Sequence, residues 1–333
     1  MWDTNEAGDH PFPTPTEESA EKSSRFDVSF SASFFDVAGG DSRRELAEIV
    51  VGSVDEDPNK MSEFLQKQYT GGYSVDLALA QMYQEVPHDT QVFSRLVDVL
   101  TVCFGESSFD PQPLASVLLS IISSPDMDEK VSQSVRLYKQ LLQAHPSVAV
   151  DMLPVVHSGV SDDKLHRHQL YLYTLNEAVQ YDPSVFSDIH RVELDGYLFS
   201  EVWGISIGSL RVYRSLVDVS PQSVIRSLPV LSQLLLEQNE HGVLVGEILK
   251  QLAVDERVSN KELEKYRELL VEALSIGYDP ISKQVVVALA ALCDGHGDCP
   301  ELDNLIKTVQ QTENHPFNSL MPRVVALLHG GGS

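Results

Sequence analysis

Apolar residues recur at helical spacing from about residue 42 almost to the end of the chain. Over residues 261–276, for example, Leu263, Tyr266, Leu269, Leu270, Ala273 and Leu274 keep one face apolar, the i, i+3, i+4, i+7 signature of an amphipathic helix. The same reading predicts helices over 89–104, 114–123, 128–144 and 198–219, separated by short turns marked by Pro, Gly, Asp or Asn. No alternation of strand and helix patterns appears after residue 42. One earlier segment has a different period. Phe26, Val28, Phe30, Ala32 and Phe34 alternate with Asp27, Ser29, Ser31 and Ser33, which predicts a strand or extended segment with no partner strand nearby. It either packs on the body or adds to the sheet edge of a partner. Residues 1–24 are rich in Asp, Glu, Ser, Thr and Pro with little to bury, a disordered composition.

The helix starts repeat. His145-Pro146-Ser147-Val148, Asp182-Pro183-Ser184-Val185 and Ser220-Pro221-Gln222-Ser223-Val224 lie 37 and 38 residues apart. Each puts proline in a first helical turn, where its missing N–H costs nothing. Pro146 and Pro221 are each followed eight residues later by a second proline, in Leu153-Pro154 and Leu228-Pro229. A repeated mid-helix proline predicts a tolerated kink, and Met321-Pro322 is a possible third instance. Acidic residues open the second helix of each unit: Asp128-Glu129-Lys130, Ser161-Asp162-Asp163-Lys164 and Asp279-Pro280-Ile281-Ser282-Lys283.

On these residues the chain resembles HEAT or armadillo-type repeat proteins. Asp279-Pro280 with Lys283, Ala288-Leu289 and Leu292 is similar to the second helix of a HEAT unit, and the Leu-Pro helices are similar to the first. The resemblance spans residues 110–329. It implies an all-α fold, a right-handed α-solenoid of antiparallel helical hairpins, with a partner protein or peptide held along the concave face. The expected organisation is a disordered acidic segment over 1–41, a helical repeat domain over 42–329 and a flexible Gly-Gly-Gly-Ser tail over 330–333. The unit at 183–219 departs from the pattern, with its first helix expected to break near Glu193-Leu194-Asp195-Gly196.

The chain carries 49 acidic and 24 basic side chains, a net charge of −25, with 42% apolar residues. Such a field repels phosphate, so nucleic acid is a disfavoured partner. The acidity is spread evenly and resembles the bias of halophilic archaeal proteins, whose self-repulsion is screened in molar salt. The longest apolar runs, such as 285–293, are too short to span a bilayer, which takes about 20 residues. Met1-Trp2-Asp3-Thr4-Asn5-Glu6 carries no signal-like pattern, so the expected location is cytoplasmic.

Candidate chemistry is sparse. Cys293, His296 and Cys299 stand at i, i+3 and i+6 in a glycine-containing loop and could converge on zinc, with Asp294 or Asp298 as a further ligand; an ordinary inter-repeat loop or a redox disulfide is the alternative. His157, Asp162, Asp163, His166 and His168 crowd one turn, as capping acids and surface histidines or as a cation site. Aromatics concentrate over 171–213, where Tyr173, Trp203, Arg211 and Arg214 are the candidate binding residues, the arginines beside Gly204 and Ser200 suiting an acidic peptide; a core aromatic cluster with snorkelling arginines is the alternative. Phosphate loops and dinucleotide fingerprints are absent from the sequence. The expectation is a non-catalytic scaffold or adaptor without a cofactor. A metal-dependent or enzymatic module on the same frame, or a nucleic-acid-binding relative, remains the alternative.

Overall fold

The computed structural model describes residues 75–105, 109–124, 129–161, 165–277, 279–293, 300–312 and 315–328. Their regular structure is entirely helical. The aromatic alternation at 26–34, the acidic segment, the Asp162-Asp163-Lys164 opener and the C-terminal tail lie outside the described residues. Two compact units emerge: one ends at Val117 and takes in Lys130, and the other begins at Leu118.

In the first unit, α1 (Val75–Glu85) packs on α2 (Gln91–Cys103). Thr90 caps α2 by accepting the Phe93 N–H at 3.2 Å. Tyr83 and Phe93 meet with ring centroids 5.2 Å apart. The Lys130 ammonium donates to the Gln84 and Val86 carbonyls, each at 2.9 Å, at the end of α1. A cation there satisfies carbonyls the helix leaves unpaired and meets the negative end of its dipole.

The second unit carries the repeat. Helix α3 (Gln112–Ile122) straddles the division and is followed by α4 (Glu129–Ala144), α5 (Pro146–Ser158), α6 (Leu165–Tyr181), α7 (Asp188–Tyr197) and α8 (Trp203–Val219). Then come α9 (Pro221–Ile225), α10 (Leu228–Leu231), α11 (Glu240–Val254), α12 (Asn260–Leu263) and α13 (Arg267–Ser275). The chain continues through α14 (Asp279–Leu292), α15 (Pro300–Gln311) and α16 (Met321–Leu328). Helices α6, α8, α11 and α14 form a row, each packed on the next. They begin at residues 165, 203, 240 and 279, a period of 37 to 39 residues.

Polar contacts cross the same helix–helix interfaces at a slightly shorter spacing. Tyr138 bonds to Thr174, Gln180 to Ser215, Ser206 to His241 and Lys250 to Gln284, at separations of 34 to 36 residues. Each joins one helix of the row, or α4 before it, to its successor. The row stays close because small residues face it: a Cβ on Gly208 of α8 would lie 2.9 Å from Leu172 Cδ1 of α6. Helix α14, packed against α11, α13 and α16, is buried all round from Val285 to Leu292, as a helix covered on several sides must be.

The prolines have two fates. Pro154 stays inside α5. Pro229 instead ends α9 and stands in the first turn of α10. Pro322 falls in the first turn of α16, so it is a start residue and not a third mid-helix proline. The 261–276 segment is likewise divided, into α12, a 3-10 turn at Glu264–Tyr266 and α13.

Candidate functional site

The break in the 183–219 unit lies earlier than the sequence suggests. Asp182 Oδ1 accepts the Ser184 N–H at 2.9 Å and Phe186 is extended, so a single 3-10 turn forms at Pro183–Val185. Helix α7 then runs unbroken through Glu193-Leu194-Asp195-Gly196. The expected helix over 198–219 starts only at Trp203. Ser200 Oγ accepts the Val202 N–H at 3.2 Å and Val202 is extended; this local side-chain bond competes with helix continuation.

Helix α7 is amphipathic with its faces exchanged. Ile189 is 63% exposed and Val192 61%. With exposed Gly196, and Phe199 one turn further (52% exposed), they make a stripe at i, i+3, i+7 and i+10. Val202 and Trp203 continue the exposed apolar character into α8. The opposite face carries His190, Glu193, Leu194 and Tyr197 toward the neighbouring helices; of the ten residues of α7, Leu194 alone is fully buried.

The inward face builds a polar cluster. His157 Nε2 of α5 lies 2.8 Å from Glu193 Oε1. His190 Nδ1 lies 2.8 Å from the Tyr171 hydroxyl of α6, and the His157 ring stands edge-on to His190 with centroids 5.2 Å apart. His168 Nδ1 of α6 meets the Tyr197 hydroxyl at 2.8 Å. The three groups His157, His190 and Glu193 place one ligand atom each within 4.8 Å of one another. Burial, then the neighbouring His157, holds His190 below its ordinary pKa of 6.5. Burial, then the Glu193 carboxylate, pushes the Tyr171 phenol far up and the Tyr197 phenol up to about 12. Both therefore remain neutral hydroxyls.

A second set of bonds ties α7 to α8. The Tyr213 hydroxyl, on a fully buried side chain, donates to Asp195 Oδ1 at 2.6 Å. Its one proton thus committed, it accepts from Ser227 Oγ at 2.9 Å. Burial and then the Asp195 carboxylate raise the Tyr213 phenol strongly. Arg191 bonds to Asp195 Oδ2 at 3.1 Å and to Asp188 at 3.4 Å, and Arg226 reaches Asp188 at 3.5 Å.

The sequence-derived binding residues are spread across several contacts. Tyr173 faces α4: its hydroxyl donates to the Lys139 carbonyl at 3.2 Å, with the Lys139 ammonium 5.2 Å from its ring. Trp203 opens α8 and is 57% exposed. Arg211 and Arg214 point to α11, 4.0 Å from Glu240 and 3.3 Å from Glu247. Gly204 opens no groove beside them, because Gln169 Nε2 of α6 occupies the space, 2.8 Å from where a Cβ would stand. Cys293 is disulfide-bonded, so in this state its sulfur is no thiolate ligand; His296 and Cys299 lie outside the described residues. Of the 157–168 histidine cluster, the structure turns His157 to Glu193 and His168 to Tyr197, on the next repeat. His190 and Glu193 escaped the sequence reading. Their signal is the i, i+3 pair His190-x-x-Glu193, which stands on one helix face.

No protein-family model matches this chain, and no curated protein matches it.

Proposed function

We propose that the chain is a non-catalytic α-solenoid interaction module of HEAT/armadillo type, its strongly acidic surface adapted to a high-salt cytoplasm. It binds a partner protein. The observation that carries the reading is the exchanged amphipathicity of α7, with Ile189 and Val192 facing solvent while His190, Glu193 and Tyr197 face inward. The 37 to 39 residue period of the packed row supports the solenoid part. The partner is an amphipathic helix with basic flanks, laying its apolar side along Ile189, Val192, Phe199 and Trp203. Its basic flanks are called for by the net charge of −25 and by exposed Asp188 and Glu201 at the two ends of the stripe.

The test is retrieval from native lysate at high salt with three baits: full-length protein, a deletion of residues 1–41, and an Ile189→Asp/Val192→Asp variant of unchanged melting temperature. One stoichiometric protein held by the first two baits and lost from the third is the expected result. Loss only with the deletion moves the contact to the Phe26–Phe34 alternation, and retention by all three removes the stripe from the reading.

A further inference from the structure

We infer that His157, His190 and Glu193 form a binding site for a divalent transition-metal ion. The site goes beyond the docking reading and stands independently of it. Its ligands come from two elements one repeat apart, α5 and α7, and all three ligand atoms lie within 4.8 Å of one another. The donor set is two imidazoles and one carboxylate. Imidazole selects zinc, iron, nickel or copper over the hard cations that carboxylates alone attract.

Glu193 supplies the second, independent observation. Its Oε1 is 2.8 Å from His157 Nε2, while its Oε2 is buried with no well-formed hydrogen bond, the Tyr171 hydroxyl interacting with this carboxylate only weakly. A buried carboxylate oxygen with so weak a donor is incompletely satisfied, and a bound ion would satisfy it. The Tyr171 hydroxyl against His190 Nδ1 restrains the ring, the kind of outer contact that orients metal-bound histidines. Ligands of a tetrahedral zinc ion stand about 3.3 Å from one another, from bond lengths near 2.0 Å. All three side chains are half-buried, which leaves a path for the ion. Three protein ligands leave a fourth position for water.

The experiment is calorimetric titration of chelator-treated, desalted full-length protein with zinc, in molar salt and excess magnesium so that the surface carboxylates are occupied. Cobalt(II) is the parallel spectroscopic probe. One zinc per chain is expected, with intense visible cobalt absorption. His190→Ala and the near-isosteric Glu193→Gln should each abolish the one-equivalent step, with helical circular dichroism unchanged. A Cys293→Ser/Cys299→Ser variant should keep it. Absence of stoichiometric binding in the unaltered protein, persistence in Glu193→Gln and His190→Ala, or loss only in the cysteine variant would each overturn the assignment. Titration needs no partner, so failure here leaves the docking test untouched.

Discussion

Gly242 and Gly196 make one substitution a test of two opposed effects. Both glycines stand within helices, and replacing helical glycine by alanine is worth about 0.8–1.0 kcal/mol in intrinsic propensity. At Gly196 nothing lies within 4 Å of an added Cβ. Gly196→Ala should therefore stabilise the protein by about 0.5–1 kcal/mol. Gly242 lies in the first turn of α11. A Cβ there would stand 2.1 Å from the Glu237 carbonyl oxygen, 2.7 Å from Ile281 Cδ1 and 3.0 Å from the Leu235 carbonyl oxygen. Ile281 can turn; the two carbonyls are backbone. They belong to the segment leading into the Asn239 cap, whose Oδ1 accepts the His241 N–H at 2.9 Å and the Gly242 N–H at 3.3 Å. Relieving the overlap means moving that segment and weakening its cap. Overpacking costs about 1–3 kcal/mol and a weakened cap about 1 kcal/mol. Less the propensity gain, Gly242→Ala should destabilise by about 1–3 kcal/mol. Both positions lie in the second unit, so one urea transition followed by circular dichroism reports both. The expected result is a higher midpoint for Gly196→Ala and a lower one for Gly242→Ala at similar slope. Midpoints moving in the same direction, or Gly242→Ala at or above the unaltered protein, would refute the steric argument.

Tyr213→Phe removes the donor to Asp195 and the acceptor for Ser227; denaturation should show a loss of about 1.5–3 kcal/mol, as for a hydrogen bond to a charged group. Leu194→Ala, at the one fully buried position of α7, should cost about 2–5 kcal/mol. Ile189→Thr and Val192→Thr should stay within about 0.5 kcal/mol of the unaltered protein in the same assay, since both face solvent. His190 holds its proton less tightly when folded, through burial and the neighbouring His157. The unfolded chain therefore gains the extra proton as pH falls through about 6.5, and stability present above that pH is lost below it. Melting temperatures between pH 5 and 7.5 should fall toward the acid side, and His190→Gln should flatten part of that slope.

The sequence alone determined the helical character, the repeat period and many of the helix starts. Pro146 and Pro221 stand in first turns, and Asp279 opens α14, as their local chemistry dictates. These features depend on φ restriction and caps within one turn, so neighbours in sequence suffice to read them. The fate of Pro154 and Pro229 was not legible, because the same dipeptide is kept within one helix and breaks another. Which side of α7 faces solvent was not legible either, because only packing decides which side of a helix a neighbour covers. Here α5, α6 and α8 offer His157, Tyr171 and Tyr213, and these turn the polar side inward. The candidate site is hidden for the same reason. His157 and Glu193 are 36 residues apart, and the stacking of one repeat on the next is what makes them neighbours.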